Sequence, residues 1–210
     1  MALSKLDANS FDLTDNYAFT GTTTGIVSTQ KLFLIKNIDA SNSSTVNFIN
    51  GSNDVVIDNT YKTYIFRFIN IHPDPNNGPN FGIQATTDGS NFNVAQSVTH
   101  FRARHDDDTS TTFGYDTGND SVQATGYQSM GSPGNGNDEC FTGQAIIFNP
   151  SSTTFIKHYV TVCANFESGD IAQNVYNGGY FNTTSALTGF SFKMSAGNVG
   201  SGRIALYGIK

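Results

Sequence analysis

From residue 31 to the end of the chain, short runs rich in β-branched and aromatic residues are separated by clusters of Asn, Asp, Gly, Ser and Pro, and no stretch sustains a helical period. A chain punctuated in this way folds as many strands joined by turns, because the runs suit a pleated, half-buried surface and the clusters supply turn geometry. About ten strands are expected on this rule: Lys31–Ile38, Ser44–Ile49, Asp54–Ile57, Tyr61–Ile71, Asn80–Thr86, Val98–Arg104, Gly143–Phe148, Phe155–Ala164, Gly189–Met194 and Gly202–Ile209. Asp74–Pro79, Asp88–Asn91, Ser132–Asp138 and Asn149–Ser152 carry the turn chemistry between them. Residues 105 to 140 hold the longest stretch of weak strand signal, so a long loop is expected there and any contact surface is placed on it first.

The run Tyr61–Ile71 puts Tyr64, Phe66 and Phe68 on one face and Ile65, Ile69 and Ile71 on the other. With both faces apolar, the strand belongs in the middle of a sheet covered on each side, or at a subunit contact. Phe190, Phe192 and Met194 alternate with Ser191 and Lys193, and Ile204 and Leu206 stand against Arg203, which predicts strands with one wet face. The sum is an all-β fold, an antiparallel two-sheet β-sandwich of jelly-roll kind over residues 31–210, whose edges need blunting or a neighbour. Oligomerisation is therefore expected. Residues 1–30 differ: Leu3, Leu6, Phe11, Leu13, Tyr17 and Phe19 follow no sustained period, and Thr20–Gly25 breaks any pattern, so they read as an extended N-terminal attachment arm.

Length and charge bound the function. A chain of 210 residues suits one sandwich or barrel domain. Only 13% of residues are charged but 12% are aromatic, so neutral polar residues solvate a chain that still has apolar area enough to fold. A net charge of −6 with no Lys/Arg run argues against affinity built on neutralising phosphates, and no nucleic-acid partner is expected. Met1–Asp7 has one Lys and no apolar stretch behind it, and no segment approaches bilayer-spanning length. Synthesis as a soluble cytoplasmic protein, without membrane insertion, is expected. Cys140 and Cys163 lack CxxC spacing and a His cluster, so neither zinc nor a disulfide framework is signalled; they read as reduced thiols, with a mutual disulfide as the lesser alternative.

Several constellations bear on chemistry. His105-Asp-Asp-Asp108 offers oxygen ligands, but it lacks the alternate spacing and the Gly of a calcium loop and reads as a solvated loop. Val98, His100, Arg102 and Arg104 alternate onto one strand face opposite Phe101 and Ala103. That face suits a carboxylated sugar or an acidic neighbour, and it equally reads as the wet face of a sheet paired with the following aspartates, the reading preferred. His72 and His158 have no acid or nucleophile nearby in sequence and are given no role. Glu139 and Glu167 are the only glutamates, a poor supply for paired-carboxylate hydrolysis. Gly126-Tyr-Gln-Ser-Met-Gly131 has the wrong spacing for a nucleophile elbow and no strand-to-helix context. Tyr115, Tyr127, Tyr176 and Tyr180 are of a kind that stacks on sugar rings, though core or rim placement explains them more simply. No catalytic, cofactor-binding or metal residue is assigned, and no cofactor is expected.

Three segments carry a family likeness: Tyr61-Lys-Thr-Tyr-Ile-Phe-Arg-Phe-Ile-Asn-Ile-His-Pro73, Asn149-Pro-Ser-Ser-Thr-Thr-Phe-Ile-Lys-His158 and the terminal Gly202-Arg-Ile-Ala-Leu-Tyr-Gly-Ile-Lys210. Through them, over roughly Val27 to Lys210, the chain resembles virion proteins of marine tailed phages (cyanophage- and pelagiphage-like), often labelled structural or tail-fibre proteins. Ala2–Ser10 is similar to the leading segments of phage fibre and appendage proteins. The resemblance implies a location on the virion surface, after assembly in the bacterial cytoplasm, and no catalytic motif travels with it. The expected role is a non-enzymatic knob or decoration protein docked through residues 1–30, with other virion proteins and copies of itself as partners. The alternative is a host-adhesion module binding a surface glycan or protein, and a depolymerase ranks last. Neither a heptad repeat nor a collagen-like Gly period marks a fibre shaft, which favours a compact knob.

Overall fold

The computed structural model describes residues 32–108 and 110–210. The arm expected over residues 1–30 lies outside the described residues. Thirteen strands follow in order: β1 (Leu32–Asp39), β2 (Val46–Ile49), β3 (Thr63–Asp74), β4 (Phe81–Thr86), β5 (Gln96–Asp106), β6 (Thr111–Tyr115), β7 (Ser121–Ala124), β8 (Gln128–Ser129), β9 (Phe141–Phe148), β10 (Lys157–Glu167), β11 (Ile171–Phe181), β12 (Gly189–Met194) and β13 (Asn198–Ile209). No helix of the described residues is long and apolar enough to cross a membrane.

The strands form two antiparallel sheets. The long sheet has nine strands in the order β1-β13-β3-β9-β10-β11-β5-β6, with β7 also pairing β5, and the short sheet has the order β2-β12-β4-β8. They pack face to face as a β-sandwich through aromatic rings. Phe66 of β3 meets Phe48, Phe190 and Phe192 of the short sheet at centroid distances of 5.2, 5.3 and 4.9 Å, all edge-on. Phe68 meets Phe81 and Phe192 at 5.4 and 5.2 Å. Edge-to-face packing of this kind adds to simple area burial.

The alternation in β3 holds up to Phe68 and then breaks. Tyr64, Phe66 and Phe68 are buried and Ile69 points to solvent, but Ile71 is fully buried. Asn70 adopts φ 49°, and the β3–β9 register shifts between Phe68 and Ile71. This bulge inserts one residue and returns Ile71 to the core, reversing its expected side. Only the inner face of β3 meets the short sheet; its outer face at Ile69 stays open among the described residues.

Three further expectations are corrected. Asp54–Ile57 is a loop, because Asn53 and Asp54 take positive φ; its Val55 and Ile57 still reach the core. Residues 105 to 140 are not one long loop but contain β6, β7 and β8. β12 has no wet face at Ser191, which is buried under Tyr127 and accepts its hydroxyl at 2.9 Å. The Asn- and Gly-rich β11 was not expected from sequence, and it pairs along its full length with β10 and β5.

Candidate functional site

Strands β2, β12 and β4 cover only part of the long sheet. Beyond β9, the inner face of β10, β11 and β5 is roofed by β8, the edge strand of the short sheet, and its flanking residues over 125–134, through largely polar contacts. Thr161, Asn177 and His100 stand in one row across β10, β11 and β5, and Asn165, Gln173 and Arg104 in another. All but Arg104 are buried. Amide side chains tie the roof down: Asn177 Nδ2 donates to Ser129 O at 2.8 Å, Asn165 Nδ2 to Ser132 O at 3.2 Å and Gln96 Nε2 to Gly126 O at 2.9 Å. Gly131 lies so close over this layer that a Cβ there would sit 2.5 Å from Asn165 Oδ1. Tyr159 Oη donates to Gln96 Oε1 at 2.7 Å, fixing the amide that holds the roof.

At the open end of this layer lies a cleft of about 370 Å³ lined by Arg102, Arg104, Thr112, Gly114 and Asp116 among others. Arg102 Nε pairs with Asp116 Oδ2 at 3.2 Å, and Arg104 pairs with Glu167, which also accepts the Ser132 hydroxyl at 2.6 Å. Burial alone would raise the Asp116 pKa, but hydrogen bonds from Asn119 and the Gly118 N–H, with Arg102 and His100 beside it, hold it below the usual carboxylate value. Burial lowers His100 below the ordinary imidazole value, against the pull of Asp116. Arg104 Nε is buried without a hydrogen-bond partner among the described residues.

The expected basic face is thus corrected: Val98 and His100 are buried and both arginines are half-buried and ion-paired, so this is the roofed side of the sheet and not its wet one. The carboxylate partner of Arg102 is Asp116, ten positions beyond Asp106, and not the 106–108 triplet. There Asp106 Oδ1 accepts the Ser110 N–H at 2.8 Å and shapes the hairpin, with His105 exposed beside it. His72 Nε2 lies 3.0 Å from Gly136 O, and buried Glu139 accepts the Gly136 N–H. Ser129 of the Gly126–Gly131 segment is buried in β8. Cys140 and Cys163 are free thiols. The tyrosines do not converge: Tyr127 lies under Lys193 Nζ at 4.5 Å, and Tyr115 Oη donates to Asp120 at 2.8 Å. Tyr176 stacks on Phe101 at 5.1 Å, and Tyr180 meets His158 at 6.0 Å.

The opposite, outer face of the same strands exposes several apolar side chains. β10 points Lys157, Thr161, Asn165 and Glu167 inward but His158, Val160 and Val162 outward. Val162 is 44% exposed, Phe148 of β9 41% and Phe113 of β6 77%. None of the outward positions of β9, β10, β11 or β5 is Lys, Arg, Asp or Glu. Alternation in the sequence signalled these positions, but only the sheet order identified which side is roofed.

No protein-family model, curated protein or solved structure matches this chain.

Proposed function

We propose that this chain is a non-enzymatic structural protein on the surface of a tailed-phage virion, a knob or decoration protein that joins the particle through contact with neighbouring virion proteins. The observation that carries this reading is the outer face formed by β9, β10, β11, β5 and β6, which has no charged outward residue and leaves Phe113, Phe148, Val160 and Val162 exposed. Exposed valine and phenylalanine side chains on a face without charges suit a protein that works in an assembly. The likeness of three segments to phage virion proteins supplies the kind of assembly. The reading includes a jelly-roll fold: β1-β13-β3-β9 facing β2-β12-β4-β8 has the strand order of two interleaved Greek keys, with β5–β7 and β10–β11 as insertions that widen one sheet. It also keeps residues 1–30 as the docking element. Cryo-EM of purified particles tests it: repeated density for the sandwich on the particle surface supports it, and particles lacking the chain refute it. Deleting residues 1–30 should leave a folded domain that no longer joins particles.

The polar cleft favours a second reading, host adhesion. Its two arginines are balanced by Asp116 and Glu167, so the lining offers donors and acceptors together, as a neutral polyol requires. Glycan-array binding that is lost in Arg104→Ala would favour it.

A further inference from the structure

We propose that the outer face of β9, β10 and β11 is the contact between two copies of this chain. This rests on the reading of that face as an assembly surface and adds the partner. In a sheet with one solvated side, polar residues face water and apolar ones face the core. β10 departs from this: Val160 and Val162 turn out, while Lys157, Thr161, Asn165 and Glu167 turn in beside Tyr159 and Cys163. Lys157 Nζ is held by the carbonyls of Phe155 and Thr183 at 2.9 and 3.0 Å, so the departure is built into the fold.

The charge distribution suits a second copy as the occupant. The chain carries a net charge of −6, so two copies repel through most of their surface. The outward positions of β9, β10 and β11 contain neither Lys, Arg, Asp nor Glu. Through this face, copies meet without like-charge contact and without desolvating an ion. A partner chosen by opposite charge would find only Arg67 of β3, at the edge of this face beside Gln144.

Relief points the same way. Val160 stands opposite Gly178 in the β10–β11 ladder. Along β11, Tyr176 and Tyr180 share the face with Gly178, and a Cβ on Gly178 would meet only Thr99 Oγ1 at 3.8 Å. The glycine therefore leaves a notch between two rings, next to a valine ridge. A two-fold contact places each ridge against the partner's notch, the self-complementary arrangement an isologous interface demands.

Sedimentation velocity of the full chain in the micromolar range tests this. The wild-type chain should sediment as a dimer or larger, and Val160→Glu/Val162→Glu should weaken association roughly a hundredfold, since like charges would face each other across the contact. Both side chains are solvent-facing in the single copy, so thermal unfolding of the variant monomer should stay cooperative. Asn47→Glu, exposed on the short sheet, should leave association unchanged. A monomeric wild-type chain, an equally associated double variant, or equal loss in Asn47→Glu overturns the proposal. A wild-type monomer whose double variant is excluded from particles overturns the second copy as partner while leaving the assembly surface standing; normal incorporation of that variant counts against both.

Discussion

Gly202 faces Asn70 across the β3–β13 ladder so closely that a Cβ on the glycine would overlap the Asn70 carbonyl oxygen. Both residues sit at positive φ, 109° and 49°, and both adjoin register shifts that turn Ile71 into the core. The pair is a matched kink in two neighbouring strands. Gly202→Ala should therefore cost roughly 1–3 kcal/mol, from the strained φ and the displaced carbonyl together. Urea unfolding of wild type and variant measures it, and an unchanged midpoint would show that the kink relaxes freely.

Phe66 is fully buried where the two sheets meet, and three rings of the short sheet surround it. Phe66→Ala should destabilise by about 3–5 kcal/mol, the usual cost of removing a core ring. Phe113→Ser, on the bare outer face, should change the stability of the single chain by less than about 0.5 kcal/mol. Denaturation of both variants separates core from assembly surface in one experiment.

His100 is buried beside Asp116, Arg102, Asp120 and Asn177, and burial lowers its pKa. The unfolded chain thus takes up a proton before the folded one does. Its contribution to stability is complete above about pH 6.5 and declines as pH falls from there through the folded value. His100→Gln should flatten that part of the stability profile between about pH 7 and 5, measured by urea unfolding across the range. An unchanged profile would assign the acid sensitivity to other groups.

Cys163 is buried on the inner side of β10, and burial pushes its thiol up to about 12, whereas Cys140 is half-buried. A thiol reagent should modify Cys140 alone in the native protein and both cysteines after denaturation, because the thiolate is the reactive form. Fast native labelling in Cys140→Ser would contradict the buried placement.

Strand existence was legible wherever β-branched and aromatic residues ran together, as in β3, β10 and β12. It was not legible where amides do the work of apolar side chains. β11 reads as Asn-Gly loop sequence, yet Gln173 and Asn177 belong to a buried polar layer and the whole strand is paired on both sides. The roof over residues 125–134 is likewise held by side chain-to-backbone hydrogen bonds, which leave no period in the sequence. For the same reason the alternation in Val98–Arg104 separated two faces but gave no sign of which one is roofed. The short stretch from Phe68 to Ile71 misled in another way, since one bulge residue reverses every inference drawn from strict alternation.

In the proposed assembly, the outer face of β9, β10 and β11 is bare in the single chain and covered in the particle. Hydroxyl-radical footprinting of the chain within purified phage particles, against the monomeric Val160→Glu/Val162→Glu variant, addresses it residue by residue. Strong protection of Phe148, Tyr176 and Tyr180 in particles, with the Asp88–Asn91 turn equally labelled in both, is the predicted result. Equal oxidation of the outer-face residues in the two samples would contradict it.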